Sequence, residues 1–243
     1  MSRLTLLGTG TCQIEFERRA SSILLELDGF PILFDCGHGI VQRLLEVGIP
    51  HNQLHHIVIS HFHPDHVSDL IPFLHAGSWS PAHPRKDDLH IYGPAGLQHW
   101  LDGMRSLFSP SSFQTKGYRV LVHELEEGAF TIGPYPFEFL SLPPSGNHGL
   151  RFRWNGKQYA FTGDSHFHQQ EITFLQGVDL AVIDSGHLSD EQIVELAARS
   201  QAKHILCSHL YRELDATALQ REARARGYAG TISIGRDLLT FFI

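Results

Sequence analysis

The short apolar run Ile57-Val58-Ile59 leads directly into Ser60-His61-Phe62-His63-Pro64-Asp65-His66. No other stretch constrains the chain as much. A three-residue apolar run of β-branched residues reads as a buried strand. Side chains alternate along extended backbone, so His61 and His63 point to one side. Pro64 fixes a turn-like backbone, which lets Asp65 and His66 face the same space from another angle. Four potential ligands are thus aimed at one small volume. One cation cannot comfortably use all four from so short a segment. Two cations sharing the loop is the better geometry, with His61 and His63 on one and Asp65 and His66 on the other. Imidazole and carboxylate donors suit zinc, with manganese or iron as alternatives.

Strands are expected at residues 4–7, 22–28 and 32–35, with a turn at Gly29-Phe30-Pro31. Residues 40–47 have helical spacing and stop at Gly48. Residues 67–74 form a helix in which Pro72 is awkward, and 78–88 form a loop. A strand at 89–92 and a helix at 97–108 follow. Further strands are expected at 119–124, 137–142, 149–154 and 158–162. The last third alternates: strands at 180–183, 204–207, 231–234 and 238–242, helices at 190–200 and 216–226. Strands dominate early and strand–helix pairs late, which implies an α/β chain with central sheets and outer helices. No linker divides the 243 residues, so residues 1–243 are read as one domain.

Hydrophobic residues make up 42% of the chain and charged residues 19%, the balance of a globular protein. The formal charge of −7 argues against an extended nucleic-acid interface and leaves room for a small anionic substrate. Cys12, Cys36 and Cys207 are few and widely spaced, which fits a reducing compartment. No apolar run is long enough for a membrane span or a signal peptide, and a cytoplasmic location is expected. Gly8-x-Gly10 lacks the third glycine of a dinucleotide loop and runs into another strand. The basic residues between 221 and 226 alternate with alanine and glutamate, as on a solvated helix face.

The His61–His66 string resembles the metal-binding motif of the metallo-β-lactamase fold. Leu6-Leu7-Gly8-Thr9-Gly10 is similar to that fold's first strand and turn, and Ile32-Leu33-Phe34-Asp35-Cys36-Gly37 to its next acidic strand end. Asn147-His148 lies in the place of a third metal histidine. Thr162-Gly163-Asp164-Ser165 resembles the segment that supplies a bridging carboxylate, and Leu206-Cys207-Ser208-His209 the final strand-end histidine. The resemblance implies an αβ/βα four-layer sandwich: two facing mixed sheets with helices on both outer faces. It implies two divalent cations. His61, His63 and His148 would hold one, Asp65, His66 and His209 the other, and Asp164 would bridge them. The apolar strands before Asp164 and His209 support their delivery to a sheet edge independently.

Ser185-Gly186-His187-Leu188-Ser189 resembles a segment of the ribonuclease Z and small phosphodiesterase group, whose histidine is catalytic. His187 inherits that role, and Asp65 joins it in the catalytic set. Only sixteen positions separate His148 from Asp164, so a tRNA-gripping arm is absent. Leu188 stands where a smaller or polar residue is common.

The implied chemistry is attack of a metal-bridging hydroxide on a small phosphodiester, a cyclic nucleotide or an RNA end. Two divalent ions, two aspartates and a hydroxide leave a single net positive charge, which suits a phosphodiester. The alternatives are a hydrolase of a thioester, lactone or sulfate ester, or a non-catalytic metal or ligand carrier. His187 could instead cap the helix that begins near Ser189. Asp184 could orient a metal histidine or serve as a turn residue. His166 and His168 read as surface loop, and His75 and Trp79 as a pocket mouth. Homodimers are common among such relatives.

Overall fold

The computed structural model describes residues 1–81 and 83–243. It divides into two compact units. The first comprises Met1–Gly8, Cys12–Glu126 and Asp237–Ile243, and the second Thr9–Thr11 and Glu127–Arg236. Each is built on a seven-stranded mixed sheet carrying helices.

In the first unit the strands are β1 (Arg3–Gly8), β2 (Ser22–Leu27), β3 (Phe30–Phe34), β4 (His56–Val58), β5 (Leu89–Gly93), β6 (Val120–Glu124) and, from the chain's end, β14 (Thr240–Phe242). Their order is β14-β1-β2-β3-β4-β5-β6. Pairing is antiparallel from β14 to β3 and parallel from β3 to β6. The β2–β3 turn is Asp28-Gly29, both at positive φ (49° and 82°), the backbone that a two-residue hairpin needs. Phe30 and Pro31, expected in that turn, therefore belong to the strand. Gly8 admits no side chain, since a Cβ there would lie 2.0 Å from the Ala20 carbonyl oxygen.

The helices of this unit are α1 (Ile40–Glu46), α2 (Pro64–Val67), α3 (Leu70–Trp79) and α4 (Leu97–Ser106). The helix expected at 67–74 is thus two pieces. Pro64 opens the first piece and Pro72 sits in the first turn of the second, where a missing N–H costs no helical bond. Leu33, Ile57, Ile59, Leu89 and Ile91 pack with Ile40, Leu44, Leu70, Phe73, Leu74 and Leu101 as the core. Parallel strands joined by helices therefore appear in the early half too, where strands alone were expected to dominate.

The second unit contains β7 (Gly128–Ile132), β8 (Tyr135–Ser141), β9 (His148–Trp154), β10 (Lys157–Phe161), β11 (Leu180–Asp184), β12 (His204–Ser208) and β13 (Thr231–Ile234). Their order is β13-β12-β11-β10-β9-β8-β7, parallel from β13 to β10 and antiparallel onward. β11 is buried along its whole length, as a strand covered on both faces must be. Helices α5 (Gln169–Phe174), α6 (Asp190–Ser200) and α7 (Ala216–Ala225) complete the unit. α6 buries Ile193, Val194, Leu196, Ala197 and Ser200, the helical stripe that the sequence spacing predicts. β7 and α5 were not expected. Among the described residues no helix is long and apolar enough to cross a membrane.

Glu171 on α5 is fully buried. Burial, then the negative charge of Asp184, pushes its carboxyl well above the usual range, against a weaker pull from the Ser165 hydroxyl. The unfolded chain ionises this group at lower pH than the folded chain does. Its contribution to stability is therefore complete below the unfolded value and is lost as pH rises toward the folded one. Glu171→Gln is expected to raise the melting temperature over wild type by a margin that widens as pH rises above the ordinary glutamate value. Thermal unfolding followed by circular dichroism checks this, and a margin independent of pH would refute it.

Candidate metal ligands and the residues that hold them

In the first unit, the ends of parallel strands β3 and β4 deliver the ligand loop. This is the edge at which open α/β sheets present their functional groups. Asp35 follows β3 with φ +62° and is buried. Its Oδ1 accepts the Ser60 backbone N–H at 2.8 Å. Its Oδ2 accepts the Ser60 hydroxyl at 2.8 Å and lies 2.8 Å from His66 Nδ1. Since a carboxylate only accepts, His66 carries its proton on Nδ1 and its lone pair on Nε2. The Ser60 hydroxyl gives its proton to Asp35, so at 2.9 Å it accepts from His61 Nδ1. His61 likewise carries its lone pair on Nε2, which is buried. One buried carboxylate thus sets the tautomer of two imidazoles, as ligating histidines require.

His63 caps α2, and the His66 N–H bonds its carbonyl at 2.9 Å. The rings of His63 and His66 stand 4.5 Å and 4.2 Å from that of His61. Asp65 Oδ2 lies 3.8 Å from His66 Nε2. His61, Asp65 and His66 are buried, and His63 is exposed. The turn after β3 presses on this loop so closely that a Cβ on Gly37 would fall 1.7 Å from the Asp65 carbonyl oxygen. The four residues expected to cluster do so.

In the second unit the ends of β10, β11 and β12 play the same part. Asp164 and His209 follow β10 and β12, and His209 Nε2 lies 3.4 Å from Asp164 Oδ1. His148 opens β9. Its ring stacks on Phe139 at 4.5 Å, and its Nδ1 lies 3.2 Å from the Gly146 carbonyl. Buried Asn147 accepts the Asp164 N–H at 2.9 Å and donates to the Thr162 carbonyl at 3.0 Å. It locks the segment that carries Asp164 beside the strand that carries His148.

Asp184 ends β11 with its side chain wholly enclosed. Its Oδ1 lies 3.3 Å from His209 Nδ1, and its Oδ2 lies 2.6 Å from His187 Nδ1. Its Oδ1 also accepts the N–H groups of Gly186 at 2.8 Å and His187 at 3.2 Å. Its contacts serve both roles weighed for Asp184: the carboxylate closes the turn after β11 and also faces two histidines. Its carboxylate raises the pKa of His187 against the opposing effect of burial. The His187 side chain is 31% exposed, whereas His209 is 2% exposed. His187 does not cap α6. Ser189 and Gln192 do so with reciprocal bonds.

Residues 31–218 match the model of the family described as the Beta-lactamase superfamily domain. This chain belongs to that superfamily. Over 124 residues it is 36% identical to a ribonuclease Z from Mycolicibacterium gilvum, covering 51% of this chain and 42% of that protein. Over 155 residues it is 33% identical to the Picrophilus torridus ribonuclease Z, covering 64% and 47%. The matched stretches span less than half the length of these relatives. Among solved structures, the metallo-β-lactamase fold protein YhfI from Bacillus subtilis is similar with a TM-score of 0.81 at 21% identity, over 99% of this chain and 98% of that one. The short form of human tRNase Z gives 0.74 at 21% identity, over 99% of each chain. A diphosphatase of the PhnP family gives 0.72 at 18%, over 100% and 98%. The expected α/β fold is borne out.

The donors present in this superfamily member, imidazoles with assigned tautomers and enclosed carboxylates, fit divalent cations such as zinc. The roles of Asp35, Ser60 and Asn147 rest on partners brought in by neighbouring strand ends, which no local sequence pattern marks. His75 and Trp79, expected at a pocket mouth, donate toward the carbonyls of Ser112 and Ser111, each at 2.9 Å, and so tie down the turn Pro110–Phe113. His168 caps α5 by accepting from the Gln170 N–H. Cys36 and Cys207 are buried thiols, and Cys12 is exposed.

Proposed function

We propose that the chain is a dinuclear-metal hydrolase that cleaves a small phosphodiester, such as a cyclic nucleotide or an RNA end. His61, His63, Asp65, His66, His148, Asp164 and His209 hold two divalent cations, zinc in the first instance. The observation that carries the reading is the Asp184–His187 pair. A buried carboxylate fixes Nδ1 of an accessible imidazole and raises its pKa. Such a group is a general acid aimed outward through Nε2.

Bound divalent ions supply charge neutralisation at phosphorus and activation of water. The chain's own residues do the rest. Asp35 and Ser60 hold the His61 and His66 tautomers, Asn147 fixes the Asp164 segment, and Asp184 holds His187 while facing His209 Nδ1 at 3.3 Å. His187 donates from Nε2 to the departing alkoxide, which needs a proton, and pairing with Asp184 makes the imidazole hold its proton to higher pH than it otherwise would. Asp65 serves with the catalytic set as a ligand on the side of His66. Similarity to ribonuclease Z and to a PhnP-family diphosphatase favours phosphorus over carbonyl substrates.

The test is one panel. Purified protein is analysed for bound metal, then offered a bis-aryl phosphate, cyclic nucleotides, a thioester, a lactone and an aryl sulfate. Turnover of a phosphodiester with about two cations per chain is the expected result. Hydrolysis of the thioester or lactone alone would move the reading to carbonyl chemistry, and metal without any turnover would make the chain a carrier.

A further inference from the structure

The second unit places one more imidazole at the general acid than the proposed mechanism uses. The His166 ring lies 5.1 Å from that of His187, at 37° to it. The sequence suggests a surface loop at His166, and the residue is exposed. Its backbone is not loose. The His166 N–H donates to the Pro143 carbonyl at 2.8 Å, and its carbonyl lies 3.4 Å from the Ser165 hydroxyl. Two residues earlier, Asn147 holds the Asp164 N–H. The ring is therefore presented from a fixed stretch of chain.

The other sides of His187 are filled. His209 stacks on it at 5.3 Å and 22°, and Tyr211 meets it edge-on at 5.6 Å. Gly186 allows this close packing, because a Cβ there would come within 2.6 Å of Tyr211 and 2.3 Å of the His209 carbonyl oxygen. With Nδ1 committed to Asp184, His187 has one direction left in which to donate. His166 is its remaining ring neighbour, and both rings reach solvent.

We infer that His166 is a substrate-binding residue that donates a hydrogen bond to a non-bridging phosphoryl oxygen, forming with His187 a two-imidazole clamp on one phosphoryl group. The inference rests on the phosphodiesterase reading and deepens it. Two donors on neighbouring oxygens of one phosphoryl group discriminate against thioesters and lactones, which offer a single carbonyl oxygen. The role needs a donor at this position, not a titration.

The test uses inorganic phosphate as probe on the metal-loaded protein, with binding read by calorimetry, alongside KM and kcat for a bis-aryl phosphate. Three variants separate donor from ring. His166→Ala removes both, His166→Phe keeps a ring without a donor, and His166→Asn keeps an N–H. Loss of one hydrogen bond to a charged acceptor should weaken phosphate binding and raise KM about tenfold in the alanine and phenylalanine variants. The asparagine variant should recover most of the loss, and metal content should stay at the wild-type level in all three. Phosphate binding unchanged in alanine and phenylalanine, or rescued by phenylalanine, overturns the assignment. So does a fall in metal content. Those outcomes leave wild-type diester cleavage intact. A wild type that neither binds phosphate nor cleaves a diester overturns the phosphodiesterase reading and this assignment with it.

Discussion

His187→Ala is expected to lower diester turnover by about 10²–10⁴-fold, the usual contribution of a positioned general acid, with bound metal unchanged. The penalty should depend on the leaving group. A nitrophenolate departs without help, so a diester of that kind should lose least. An alkyl diester must be protonated as it leaves and should lose most. A purely structural histidine would cost all substrates alike, and that pattern would remove His187 from proton transfer. Helix α6 should survive the substitution, because its cap is the Ser189–Gln192 pair. The pH profile supplies a second readout. Asp184 raises the His187 pKa, and a general acid works only while protonated, so turnover should fall as pH rises through that raised value. Asp184→Asn takes away the charge responsible and should move the fall to lower pH. Its metal content must be measured alongside, since Asp184 also faces His209 Nδ1 at 3.3 Å.

The residues that the sequence made legible are those whose role is written locally. Four ligands in the six positions 61–66 announce themselves by spacing alone. Asp190–Ser200 declares its helix by apolar periodicity, and Thr231–Ile234 its strand by β-branched residues. Asp35 is different. It sits twenty-six positions before His61, and nothing nearby says that its two oxygens will serve Ser60 and His66. That becomes visible only when β3 and β4 are paired in register, Phe34 against Val58. Asn147 has the same character, because its partners come from the neighbouring strand end. The His166–His187 contact likewise joins segments twenty-one positions apart. Breaks were misplaced for a related reason. The sequence suggests a turn at Pro31 and makes Pro72 awkward in a helix, yet the two fit an early strand position and a first helical turn. The hairpin signal was Asp28-Gly29, one pair earlier.

Removing a proposed ligand should cost more than any other change. His66→Ala, Asp164→Ala and His209→Ala are each expected to abolish measurable diester turnover and to lower bound metal by at least one ion per chain. Asp35→Asn should do less. It leaves every donor in place but weakens the hold on the His66 and His61 tautomers, a change that typically lowers metal affinity about 10–100-fold, so excess metal should restore much of the activity. This order follows from the geometry: Asp35 reaches His61 only through Ser60, whereas His66 offers its own Nε2. Thermal unfolding gives a readout independent of activity. A cation bound only by the folded chain stabilises it by mass action, so a chelator should lower the melting temperature of wild type. The shift should shrink in Asp35→Asn and be smallest in the ligand variants. Equal chelator shifts in all proteins, or full metal content in Asp164→Ala, would show that the cations are held elsewhere.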